Sequence, residues 1–383
     1  METDKLNKIE VNAYKGAQVN YATNNSTIYA YQNVIIDTST SQKKLTPAPI
    51  KNACFVGRSG EEKKIIENLS KYHIVLINGV GGIGKTALAK KIYFDYEKEY
   101  KHIAWIDYKN SWTESLVSSL FTIDYGFSEK STENEKYELV FRFLSNLKGK
   151  ILIIIDNFNS IEPGELSSIS KLSNADIIIT SRCQPVGIPI YTLEPPSEEE
   201  CKKIFKANYL RGDSLSFEED IIIEDIIRQS QRYTLAIELI AKSICYANKS
   251  IYEFWNELKV NNYQLKELSL SVNSDWNNRF INEDIAVQIS KVYELVILTD
   301  EEKIVAQLLS ILPPFSKILL SDLKCWVSFP CTDTIIILSN KGWIFCDNQA
   351  VCMHEIVCNC ISAYNYILFH QCKLLMGDLE IKL

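Results

Sequence analysis

No stretch of this sequence approaches the ~18 uninterrupted apolar residues that a membrane-spanning helix needs, and its longest apolar runs, such as Ile151 to Ile155, have strand length. A secretory signal is missing as well, since the opening METDKLNKIE is too polar for one, so a cytoplasmic chain is expected. The eleven cysteines show no regular spacing, and their odd number in a chain of 383 residues argues for reduced thiols buried as small apolar side chains rather than a disulfide frame. A basic excess is lacking too. The net charge of -7 and an isoelectric point near 5.4 argue against a chain whose main business is wrapping nucleic acid. No internal repeat of about 20–50 residues is found. What is present is ordinary for a globular protein: 46% apolar residues, 23% charged and a mean hydropathy of -0.07, over a length that makes room for roughly two or three domains.

The composition changes along the chain. Within residues 1–36, the stretch Asn12 to Asn33 carries Lys15 as its single charge and is dominated by Asn, Gln, Thr, Ser, Ala and Tyr. Residues 37–53 have linker chemistry, polar and aperiodic with two prolines. From Cys54 the pattern turns globular. Short β-rich runs at His73–Ile77, His102–Ile106, Ile151–Ile155, Asp176–Thr180 and Ile190–Leu193 alternate with helical segments, which predicts parallel strands buried on both faces across residues 54–196. Ser197 followed three residues on by Glu200 forms a capping box, and residues 197–280 read as helices only. Residues 281–361 read as helices followed by a short hairpin built from the apolar runs Thr334–Leu338 and Trp343–Cys346, an order that suits a winged helix. Residues 362–383 form a short tail. The fold class expected is therefore α/β: a phosphate-loop NTPase domain with a parallel sheet, followed by an α-helical domain and a winged-helix domain.

Gly79-Val80-Gly81-Gly82-Ile83-Gly84-Lys85-Thr86 matches G-x-x-x-x-G-K-[ST], with a strand running in and a helix running out. Such glycines let consecutive backbone N–H groups converge on a phosphate, and the helix that follows presents its positive end to the same oxygens. Lys85 is placed to reach the β- and γ-phosphates, Ala87 continues the cradle, and the Thr86 hydroxyl is placed to complete the shell of a Mg²⁺ ion. Asp156, at the end of a five-residue apolar strand, needs a partner, and a magnesium-bound nucleotide supplies one. The next residue is Asn157 where a hydrolase favours a second carboxylate, so slow turnover of ATP is expected. Arg182, after the strand ending Thr180-Ser181, is placed to sense a γ-phosphate that ADP does not offer.

With these residues the chain resembles the NB-ARC proteins of the STAND class of signal-transduction ATPases, from about residue 54 to 360. Phe55-Val56-Gly57-Arg58 is similar to that family's opening motif, which implies that Val56 and Arg58 lie near the nucleotide. Met353-His354-Glu355 resembles its Met-His-Asp motif, which implies that His354 contacts the β-phosphate of ADP and locks a closed state. The resemblance further implies ADP held between the domains, exchange for ATP, opening and assembly into a homo-oligomer. Two departures stand out: Arg232-Tyr233-Thr234-Leu235 replaces the family's Gly-Leu-Pro-Leu at the adenine, and Glu355 replaces the aspartate. A zinc site at Cys352, His354, Cys358 and Cys360 is the competing reading, but the spacing lacks a proper pair of cysteines.

The polar, tyrosine-rich stretch 12–33 meets the compositional test for stacked in-register strands and looks like a short amyloid-signalling motif; the alternative is a disordered tail. The function expected is a signalling switch of defence or cell-death type, operated by ADP and ATP, recruiting a separately encoded effector with a matching N-terminal motif, and involving no membrane. The competing reading is an ATP-dependent transcriptional regulator that enters DNA through its winged helix. It is weakened by Cys331–Asn348, which offers Lys341 alone as a cation. A metabolic kinase lacks any acceptor-site signature.

Overall fold

A run of isoleucines with no polar interruption forms a strand only where both faces of a sheet are covered, and Ile151 to Asp156 are all buried. The computed structural model describes residues 44–362 apart from 53–54, 121–130, 159, 161, 185–186, 210–214, 248, 261–288, 294–295, 297, 313–315 and 328. The polar stretch 12–33, the boundary at 280 and the tail beyond 362 lie outside the described residues.

The first unit comprises α1 (Ser59–Tyr72), β1 (Ile74–Asn78), α2 (Lys85–Asp95), β2 (His102–Asp107), α3 (Trp112–Ser119), α4 (Glu133–Asn146), β3 (Ile151–Asp156), α5 (Pro163–Ser170), β4 (Ala175–Ser181) and β5 (Ile190–Thr192). The five strands make one parallel sheet in the order β2-β3-β4-β1-β5. Alternate residues of β3 serve opposite faces. Leu152 and Ile154 pack with Leu88 and Ile92 of α2, whereas Ile153 and Ile155 pack with Leu116, Leu144 and Ile169 of α3, α4 and α5. This is the parallel α/β sheet that the sequence pattern predicts, each strand shifted by a residue or so from its apolar run. Its consequence for chemistry is that Asn78, Asp156 and Ser181 end their strands on the same edge of the sheet.

Four helices follow: α6 (Glu198–Asn208), α7 (Phe217–Gln229), α8 (Thr234–Tyr246) and α9 (Ile251–Val260). The Ser197/Glu200 capping box starts α6 as its sequence indicates. Then come α10 (Asp300–Ser310), β6 (Ile318–Leu319), α11 (Leu320–Trp326), α12 (Thr332–Asn340), β7 (Phe345–Cys346), β8 (Ala350–Cys352) and α13 (Glu355–Ser362), with β6-β8-β7 forming a small antiparallel sheet. The core that lies between α2 and the parallel sheet continues through both later sets of helices, from Ile237 and Leu239 of α8 to Val305 of α10 and Ile356 of α13. Among the described residues no helix is long and apolar enough to cross a membrane.

Two expectations are corrected. The apolar run Thr334–Leu338 is not a strand of a hairpin but the body of α12; the hairpin is β7–β8. Three successive isoleucines favour a strand locally, yet Thr334, Ile335 and Leu338 are buried while Ile336 and Ile337 are exposed, which is helical spacing. Gly342, at φ 86°, then closes the helix: its N–H bonds to Ser339 O and that of Trp343 to Leu338 O, a Schellman motif. The second correction concerns the linker. Residues 44–52 do not run free but lie against the sheet. Lys44 pairs in parallel with Ile103, Leu45 N bonds to Ile103 O at 2.8 Å, and the Thr46 hydroxyl accepts the Trp105 N–H at 2.7 Å. Leu45 and Ile50 are buried, so two apolar side chains in a polar stretch are enough to dock it on the open edge of β2.

Candidate functional site

The loop between β1 and α2 wraps the edge where the strands end. Gly82 and Gly84 take φ of 72° and 102°, a region in which side chains are strained, and Gly84 leads directly into the start of α2. Next to that point opens a cavity of about 90 Å³ that is continuous with open solvent. It is lined by Gly81, Gly82, Gly84, Lys85, Thr86, Ala87 and Lys90 of the loop and α2, by Asn157, Thr180 and Arg182 from the ends of β3 and β4, and by Asn52. The later units close it with Thr234, Leu235 and Glu238 of α8, Phe345 of β7 and His354.

Lys85 is buried, and its ammonium donates to the loop's own carbonyls, Gly79 O at 2.7 Å and Val80 O at 2.9 Å. Burial, with the nearby Arg182 charge, pushes its pKa down from 10.5 to about 7, while Asp156 and Glu355 oppose the shift. A dianionic phosphate in the cavity would restore the charge. Below pH 7 the ammonium is protonated with or without a ligand; above it, binding takes up a proton and affinity falls by up to about tenfold per pH unit. Calorimetry of ADP binding at pH 8 in buffers of different ionisation enthalpy should give an uptake of about 0.9 proton, and an uptake near zero would refute this account of Lys85.

Asp156 is buried at the end of β3, and burial pushes its pKa upward while hydrogen bonds from Thr180 and Thr86 oppose the rise. The Thr86 hydroxyl donates to it at 2.9 Å. The Thr180 hydroxyl also donates to Asp156 and accepts the Asn157 N–H at 2.9 Å. The Asp156 carboxylate with the Thr86 hydroxyl bonded to it is a hard oxygen donor set of the kind Mg²⁺ takes, so Thr86 and Asp156 fit that ion. Asn157 lines the cavity in a left-handed conformation, φ 61°, where an acid would serve to polarise water.

His354 is the second group whose state is set by burial, which with Arg182, Lys85 and Lys90 pushes its pKa down to about 3. The ring is neutral, and because its Nδ1 accepts the Ile356 N–H at 3.1 Å, the proton sits on Nε2. Arg182 also lines the cavity, but its guanidinium is paired with the Glu355 carboxylate at the start of α13. The residue read as a γ-phosphate sensor is thus tied to the last unit.

Not every residue expected at the site faces the cavity. Val56, Gly79, Val80, Ile83 and Asp156 are not among the residues that line it. Arg58 is buried and bonds to Glu61 Oε1 at 2.8 Å, Glu194 O at 2.6 Å and Ile83 O at 3.2 Å, so it buttresses the loop. Among the described residues no three His, Cys, Asp or Glu side chains converge to hold a metal. Sequence reading missed Asn52, Lys90, Glu238 and Phe345 in the lining. It also missed Asn78, whose amide donates to Cys183 O at 2.9 Å and fixes the turn that carries Arg182. Asn78, immediately before the first loop glycine, and Lys90, four residues after Thr86 on one helical face, could have been found from their spacing; the others arrive from distant segments.

Residues 58–206 match the NB-ARC domain family. Two Arabidopsis thaliana proteins, each named a probable disease resistance protein, are 26% identical over 207 residues and 24% identical over 231 residues, spanning 49% and 54% of this chain. The chain covers 23% and 25% of their lengths, about a quarter of each. A crystal structure of a STAND protein with a tetratricopeptide repeat sensor from Pyrococcus horikoshii superposes with a TM-score of 0.58 at 18% identity, over 86% of this chain and 46% of that one. At that identity the likeness concerns the fold. The residues that match the NB-ARC family span the parallel-sheet unit and its phosphate loop and reach into α6.

Proposed function

We propose that this chain is a nucleotide-operated signalling switch whose ADP and ATP states differ in how its later units pack on the P-loop domain. The observation that carries this reading is the composition of the cavity wall. Gly81, Gly82, Gly84, Lys85 and Thr86 of the loop, the N-terminus of α8, and the Phe345 and His354 of the last unit all line one space. A ligand there touches every part of the molecule that must move, so its phosphate number biases their arrangement. On this reading α6–α9 are the helical domain and the elements from α10 to α13 a winged-helix domain.

Lys85 and the loop amides would hold the phosphates, with Thr86 and Asp156 holding Mg²⁺, which when bound offsets charge on the β- and γ-oxygens. The neutral His354 offers its Nε2–H to a phosphate oxygen and so holds the last unit down on ADP. A γ-phosphate competes with Glu355 for Arg182, and a dianion is the stronger partner for a guanidinium. Moving such a switch from 1:99 to 99:1 takes about 5.5 kcal/mol of differential binding. Several contacts must therefore change together, and Arg182 and His354 are two of them. With Asn157 in the acidic position, hydrolysis is slow and the ATP state persists.

The output on this proposal is assembly of several copies in the cytoplasm, with residues 12–33 stacking as strands and recruiting an effector that carries a matching segment. The likeness to disease resistance proteins supports a defence role. A DNA-reading winged helix is disfavoured by Lys341, the single cation of Cys331–Asn348. It is buried and paired with Glu302 at 2.8 Å, leaving no charge there for a phosphate backbone.

The direct test is the nucleotide that the purified protein carries, read by chromatography after denaturation. Stoichiometric ADP in the wild type and its loss in His354→Ala is the expected result. If His354→Ala retains ADP as the wild type does and stays monomeric, His354 is no lock.

A further inference from the structure

Lys90 stands out among the buried charges of the first unit. It lies on α2 four residues beyond Thr86, on the same helical face, and its side chain lines the cavity while the residue is only 6% exposed. Among the described residues it forms no ion pair and no hydrogen bond; its ammonium rests over the ring of Phe345, 5.1 Å from the centroid. Other buried lysines here are matched: Lys341 has Glu302, and Lys85 has two loop carbonyls. An ammonium withdrawn from water onto an aromatic face, with the Asp156 carboxylate near enough to feel its charge but not bonded to it, is only partly compensated. Placed in the wall of a phosphate cavity, it is matched by an anion.

Helix geometry says which part of the anion. Side chains on a helix lean toward its N-terminus, so Lys90 covers the turn of Thr86, on the side where the Thr86 hydroxyl meets Asp156. Its positive charge acts on Asp156 and on His354. The diphosphate already has Lys85 and the loop amides. The oxygens on the Asp156 side are those that a metal shares between the β- and γ-phosphates. We infer that Lys90 is a further phosphate-binding residue of the site, engaging the terminal phosphate of a nucleoside triphosphate and so favouring triphosphate over diphosphate. The inference rests on the nucleotide-switch reading above. It adds a role for Phe345, which brings the last unit into contact with the same ammonium, so that the γ-phosphate and the β7 ring compete for one cation.

The test is calorimetric titration of the full chain with ADP and with a non-hydrolysable ATP analogue, each with Mg²⁺, for wild type, Lys90→Met and Lys90→Arg. Loss of one charge-assisted contact predicts about a ten- to hundredfold weaker affinity of Lys90→Met for the ATP analogue. Its ADP affinity should stay within about threefold of wild type, and Lys90→Arg should restore the preference, since it retains the charge. Should Lys90→Met fail to melt as a single cooperative unit, Lys90→Gln carries the same comparison. Equal losses for the two nucleotides, or no loss for either, overturn the inference while leaving the nucleotide site standing. A wild-type chain that takes up neither nucleotide overturns both.

Discussion

Lys85→Ala should empty the nucleotide site. The ammonium is the one group of the loop that supplies a full charge, and in the free protein it is folded back on Gly79 O and Val80 O, poised at the phosphate position. Each charge-assisted bond to a phosphate oxygen is worth about 1.5–3 kcal/mol, so losing two weakens ADP by about a hundredfold to about twenty-thousandfold. The fold should not suffer. The buried ammonium is a destabilised charge in the empty site, its pKa driven down to about 7, and removing it relieves that cost. The expected signature is therefore loss of binding by calorimetry with a melting temperature no lower than that of wild type stripped of nucleotide. An ADP affinity within threefold of wild type would mean that the cavity does not work through its phosphate loop.

The second large effect is expected at Glu355. Its carboxylate pairs with Arg182, joining the end of β4 to the start of α13. The two side chains are 19% and 23% exposed, so water screens the pair and its worth is nearer a surface bridge than a buried one, about 1 kcal/mol or somewhat more. Glu355→Ala frees the guanidinium for a γ-phosphate and loosens the last unit together. The affinity ratio of ATP analogue to ADP should rise about five- to thirtyfold, within the usual range of coupling between sites. Arg182→Ala should move the same ratio the other way, and the double variant should resemble Arg182→Ala, because Glu355 acts through that guanidinium. A ratio unchanged in Glu355→Ala would show that the pair merely decorates the contact.

The parallel sheet was legible in the sequence because its signals are local. An unbroken run such as Ile151–Ile155 bounded by Asp156, or a glycine loop between a strand and a helix, leaves few alternatives. The capping box at Ser197 was equally plain. Thr334–Leu338 was misread because its three isoleucines carry strand propensity, while the cues that decide for helix are the spacing of burial and a Gly342 stop beyond the run. Residues 44–52 were misread because their composition is that of a linker; that Leu45 would find the open side of β2 depends on a strand more than fifty positions away. The same limit applies at the site. The loop lysine, Thr86, Asp156 and Arg182 announce themselves by motif and position. That Arg182 would be met by Glu355, or Lys90 by Phe345, is a matter of which surfaces the later units bring down, and no periodicity in the chain encodes it.

The strap from Lys44 to Asn52 has a mechanical meaning. Whatever precedes Lys44 is attached to the molecule at the rim of the parallel sheet, and the strap runs from there to Asn52 at the lip of the cavity, with Lys317 donating to Ala48 O at 2.6 Å on the way. Because Lys44–Thr46 lie parallel to β2, a pull along that axis loads the Leu45–Ile103 and Thr46–Trp105 bonds simultaneously, in shear, instead of peeling them one at a time. The strap is thus held at the sheet rim and in its middle before it reaches the cavity wall, so Lys44 and Asn52 are joined by one bonded segment.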